Sequence, residues 1–88
     1  IMELKEGMLA ISKAGHDKDC WYVVLKVEGE NAFLVNGENR SIERPKKKKR
    51  KHLQGINRVP EILQEKLNKG IIWTDVEIKR AIKLAKQD

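Results

Sequence analysis

Six consecutive positions, Lys46-Lys47-Lys48-Lys49-Arg50-Lys51, carry six positive charges and no acid. Cations this closely spaced suit the regular negative charge of a nucleic-acid backbone, and release of counterions drives such binding. An extended strand sends alternate side chains to opposite faces, so three or four of the run are expected to share one contact face. Arg44 and His52 extend the stripe at either end. Other readings compete. A charge run is often a solvated, partly disordered loop. Pro45 followed by these six residues also matches a nuclear address. Docking on acidic lipid or protein is less favoured, because no amphipathic basic helix accompanies the run.

A second candidate lies upstream. Lys13, His16 and Lys18 flank Gly15 in a turn-like segment. Glycine lets backbone approach a ligand closely, and the flanking cations suit phosphate. The plain alternative is a turn with ordinary surface charge. Of the aromatics, Tyr22 is the candidate for base stacking. Trp21 shares the parity of Val23, Leu25 and Val27, which assigns it to the core. Phe33 has apolar neighbours and is assigned to the core too. Trp73 is placed to staple onto Ile78. With so few aromatics, recognition should lean on backbone and shape.

Catalytic chemistry finds little purchase. His16 and His52 are the only histidines and Cys20 the only cysteine, so no metal-ligand spacing arises and no intrachain disulfide is possible. Ser12, Ser41, His16 and Asp17 assemble into a triad only on paper, without a nucleophile elbow. No enzymatic activity, cofactor or metal is expected.

The elements that must hold these residues are short. The chain has 88 residues, 36% of them charged and 40% hydrophobic, with a net charge of +6. Without the lysine run, 13 basic residues face 13 acidic ones, so the whole net charge is local. One modest core is possible. The longest apolar run, residues 20–25, is far too short to span a bilayer. The start of the sequence lacks a secretory-signal layout, and Ile1 before Met2 reads as a processing remnant.

Residues 8–12, 21–27 and 32–35 read as strands, with a turn at residues 28–31. Asn36-Gly37 signals a hairpin leading into a fourth strand at residues 39–43, with Ile42 facing in. The lysine run to Leu53 reads as a fifth strand, or as a loop ending in one. The period then changes. Pro60 suits the first turn of a helix carrying Ile62, Leu63 and Leu67, and Gly70 suits its stop. Thr74-x-x-Glu77 is a capping box opening a second helix, with Ile78, Ala81, Ile82 and Ala85 as its apolar stripe. Those stripes either close the sheet or dock on another protein; burial of Ile78 and Ile82 would reject docking.

Residues 7–24, GMLAISKAGHDKDCWYVV, resemble the KOW motif of ribosomal and transcription-associated proteins. Gly7, Lys13, Ala14, Gly15, Asp17, Lys18, Val23 and Val24 occupy its positions. Leu34-Val35-Asn36-Gly37 is similar to the family's hairpin, and residues 46–53 to its basic strand ending in His-Leu. The likeness covers residues 5–54 and is nearest to the archaeal and eukaryotic large-subunit ribosomal proteins of the fourteen-e family and their small bacterial relatives. Asp19 and Cys20 depart from it, standing where the family carries a second turn glycine and a basic residue; an acid there weakens phosphate affinity. The resemblance implies a Src-homology-3-like barrel and RNA binding.

The expected fold is therefore mainly β with α: a five-stranded barrel of the KOW type over residues 3–56, then two helices over residues 57–88 packed on it. The expected function is non-catalytic binding of ribosomal RNA, as a large-subunit-associated ribonucleoprotein component of translation. Its RNA-binding residues would be Lys13, Gly15, His16, Lys18, Arg44, Lys46, Lys47, Lys48, Lys49, Arg50, Lys51 and His52. Neighbouring ribosomal proteins are further candidate partners. No membrane partner is expected, the isolated chain should be monomeric, and a cytoplasmic location fits. The alternative is a protein-interaction adaptor whose basic run is a targeting or docking segment.

Overall fold

The computed structural model describes residues 3–87; Ile1, Met2 and Asp88 lie outside the described residues. Five strands form one antiparallel sheet: β1 (Leu9–Ser12), β2 (Trp21–Glu28), β3 (Asn31–Val35), β4 (Lys46–Lys49) and β5 (Leu53–Ile56). Two helices follow, α1 (Glu61–Lys69) and α2 (Asp75–Lys86). The strand order is β4-β3-β2-β1-β5. Laid flat, such a sheet would hold β4 and β5 about 19 Å apart. They are joined by one short 3-10 helix, Arg50–His52, which advances only about 2 Å per residue. The sheet therefore has to curl, bringing its two edges together.

Curling gives each face its own core. Leu9, Val23 and Val35 project to the face that α1 and α2 cover, where they meet Leu63, Trp73, Ile78 and Ala81. Their neighbours Ala10, Val24 and Leu34 project to the other face, joined by Leu4, Met8, Tyr22 and Ala32. Alternation at single-residue spacing thus separates two apolar clusters across one sheet.

The helices carry the local signals that define them. Pro60 caps α1, and Gly70 ends it in the left-handed conformation. The Thr74–Glu77 capping box forms in full at the start of α2. Trp73 is buried and donates its indole N–H to the Leu63 carbonyl oxygen at 3.0 Å, fixing the connector against α1. Ile78, Ala81, Ile82 and Ala85 are all buried. The stripe is spent inside the molecule, which rejects docking of a partner through it.

Residues 39–43 do not form the expected strand; residues 36–45 form a loop. Asn36 Oδ1 accepts from the backbone N–H groups of Glu38 and Arg40 at 2.9 and 3.0 Å. Asp75 Oδ1 accepts from that of Ile42 at 2.8 Å. Side-chain acceptors take donors that a strand ladder would have used. Gly37 has φ +79, and a Cβ there would collide with the Asp75 carbonyl oxygen. Its glycine lets the loop dock on α2 and also stands in a turn, where the Asn36 and Gly37 N–H groups donate to the Arg40 carbonyl oxygen at 2.8 and 3.2 Å, though no strand follows it. Ile42 is nevertheless partly buried against the helix-side core.

Candidate nucleic-acid interface

The lysine run is not a loose loop. Its first four residues form β4, paired with β3 in the register Lys46–Leu34, Lys47–Phe33, Lys48–Ala32 and Lys49–Asn31. Directly opposed residues project to the same side. Lys46 and Lys48 follow the inner-face residues Leu34 and Ala32, while Lys47 and Lys49 follow the outer face and are exposed. Lys51 is exposed on the 3-10 helix, so three cations of the run face solvent without a side-chain partner among the described residues.

Lys48 does something else. Its Nζ donates to Asp17 Oδ1 at 3.0 Å and to the Ala14 carbonyl oxygen at 2.9 Å. Asp17 also accepts from the Ser12 hydroxyl at 2.9 Å and the Tyr22 hydroxyl at 2.8 Å. The Lys48 and Asp17 side chains are only 12% and 14% exposed. Burial alone would raise the Asp17 pKa, but the hydrogen bonds from Lys48, Tyr22 and Ser12 outweigh it and hold the carboxyl at about 2. For Tyr22, burial and then the Asp17 hydrogen bond both act to raise the phenol pKa. Lys48 is therefore a neutralised strut, which corrects its assignment to the RNA-contact set. Tyr22 is corrected likewise: it is 3% exposed and offers no stacking face.

The strut has a positional consequence. It pins residues 14–17 against β4, and the Lys13 backbone N–H donates to the His52 carbonyl oxygen at 2.8 Å. The two basic segments, far apart in sequence, lie edge to edge. Lys13, Gly15, His16 and Lys18 are exposed on the loop beside the stripe. Gly15 has φ +86, and a Cβ there would lie 3.5 Å from Lys48 Nζ, so its conformation serves the loop that receives the strut. Asp19 also adopts a left-handed backbone, with φ +72.

The other stripe residues divide. Arg44 is exposed, and Lys46 and His52 are half-buried. Arg50 anchors the β2–β3 turn: its backbone N–H donates to the Glu30 carbonyl at 2.8 Å and its guanidinium to the Gly29 carbonyl at 3.1 Å. Between that turn and β5 runs a groove of about 990 Å³, with Lys49 and Lys51 beside Leu53, Gln54 and Gly55. The groove was not legible in the sequence, because the curl of the sheet makes it. The triad drawn on paper does not form, since Ser12 is buried and bonds Asp17 directly, with no histidine between them. Trp21 is half-buried against the helix-side core. Phe33 is half-buried rather than enclosed, with Lys26 Nζ 4.7 Å from its ring centroid. Among the described residues no group of three or more His, Cys, Asp or Glu could hold a metal, and no helix is long and apolar enough to cross a membrane. Protein-family models and curated proteins were both searched, and nothing in either matches the chain.

Proposed function

We propose that this protein is a non-catalytic RNA-binding protein of the KOW class, associated with ribosomal RNA of the large subunit. Phosphate and sugar are its targets, through Lys13, His16, Lys18, Arg44, Lys47, Lys49 and Lys51. The observation that carries the reading is the Lys48–Asp17 strut. It takes one lysine of the run out of solvent and, by doing so, holds the loop that carries Lys13, His16 and Lys18 beside the stripe. A solvated charge run has no use for such an anchor. The strand order and the 3-10 helix before β5 support a Src-homology-3-like barrel. The left-handed backbone of Asp19, where the family carries glycine, supports the resemblance in the first turn.

The test is co-sedimentation with ribosomes through sucrose at rising salt, beside a Lys47→Ala/Lys49→Ala/Lys51→Ala variant. Co-migration with the large subunit, lost in the variant or at high salt, is the expected result. Absence from every ribosomal fraction at low salt refutes the ribosomal reading. RNA binding no better than that of a lysine peptide of equal charge would favour the adaptor.

A further inference from the structure

On the outer face of β2, β3 and β4, Lys47 and Lys49 also take part in a second arrangement. Phe33 is paired with Lys26 on β2 and with Lys47 on β4, so the ring stands between two lysines in one row. The next row is Glu28, Asn31 and Lys49. A register shift between Val24 and Lys26 brings Lys26, rather than Leu25, opposite the ring. Lys26 Nζ lies 4.7 Å from the ring centroid and also pairs with Glu28 at 3.0 Å. Glu28 therefore already offsets Lys26, while Lys47 and Lys49 have no side-chain partner among the described residues.

We infer that Phe33 is a stacking seat for one unpaired base of a single-stranded RNA segment, whose adjacent phosphates lie on Lys47 and Lys49. This inference rests on the RNA-binding reading and deepens it. Base–aromatic stacking needs a ring face in reach of solvent with cations beside it, and a paired base cannot offer its face because its neighbours cover it. Lys47 and Lys49 are two positions apart on one strand, about 7 Å, a step of the order of that between successive phosphates of an extended strand. Lys26 Nζ sits over one face of the ring as its cation–π partner, so the base takes the opposite face. The complementarity is of charge: three lysines stand against one acid around the ring.

The seat is tested by fluorescence anisotropy with a labelled oligouridylate and with a duplex RNA of equal charge. Phe33→Leu should weaken oligouridylate binding about tenfold, leave duplex binding unchanged and keep the salt slope. Phe33→Tyr should restore the affinity. In the wild-type chain, a 4-thiouridine probe should photocross-link to Phe33, a readout that does not depend on any variant folding. If the wild type binds oligouridylate while Phe33→Leu binds it equally well and cross-links fall only on residues 13–18, the seat is refuted and RNA binding stands. If the wild type binds neither RNA, the RNA-binding reading fails and the seat falls with it. Capture of an acidic peptide at Phe33 in place of RNA would likewise overturn it.

Discussion

The sheet is closed in two places by opposite means. Under the helices the closure is apolar: Leu9, Val23 and Val35 against Leu63, Trp73 and Ile78, with the Lys66–Glu77 pair at 2.7 Å at the margin. At the lysine end it is polar: one carboxylate, Asp17, gathers Ser12, Tyr22 and Lys48. The difference follows from what each region must leave outside. An apolar stripe is satisfied by being covered, and nothing chemical remains on that face. A run of cations cannot be buried wholesale, because each unpaired buried charge is heavily penalised. One lysine is paired and drawn inward, and the alternation of the strand leaves its neighbours in water.

Ile78→Ala strikes the apolar closure alone. It should lower unfolding stability by about 3 kcal/mol, read by urea denaturation, with the proposed RNA binding intact below the melting temperature. Loss of RNA binding by the folded variant would break the separation of the two regions. Asp17→Asn strikes the polar closure. It leaves Lys48 without its counter-charge, and about 2 kcal/mol should be lost. Lys48→Met should lower stability too, yet leave the salt dependence of the proposed RNA binding unchanged, because Lys48 is spent on Asp17.

The exposed lysines give the complementary result. Lys47→Ala/Lys49→Ala/Lys51→Ala should reduce the slope of log affinity against log salt by about 2 to 3, while stability moves little. A slope that falls instead in Lys48→Met would invert the assignment.

Acid separates the closures again. The Asp17 pKa is lowered from its ordinary 3.8 to about 2. Its contribution is therefore fully present above about pH 4 and is lost as pH falls toward 2. Circular dichroism across that window should show the wild type losing stability more steeply than Asp17→Asn. The smallest effect concerns Asp19. With φ +72 it holds a backbone that glycine adopts without steric penalty. Asp19→Gly should gain about 0.5 kcal/mol and tighten the proposed RNA binding by removing an acid beside the loop.

Much of the scaffold was legible because its signals are local. The Thr74–Glu77 box, the Gly70 stop and the stripe from Ile78 to Ala85 need only neighbours three or four positions away. Residues 39–43 misled because the loop's donors are taken by Asn36 and by Asp75, the latter 33 positions from Ile42. Tyr22 and Phe33 exchanged their expected places for related reasons. Parity placed Tyr22 on the opposite face from Trp21, but that face is the inside of the curl and is as buried as the other. Phe33 has apolar neighbours in sequence, yet it pairs across the sheet with Lys26 and Lys47.

By itself the sequence determined where charge is concentrated, which segments are extended or helical, and that the lysine run would divide by alternation. Those properties depend on composition and on periods of two and 3.6 residues. The tertiary structure decided which lysine turns inward, since only the curl of the sheet brings Lys48 to a carboxylate 31 positions away. It also decided that the two basic segments lie side by side, and that an aromatic ring stands between lysines. Register and curvature are set by contacts distant in the chain, and no local pattern encodes them.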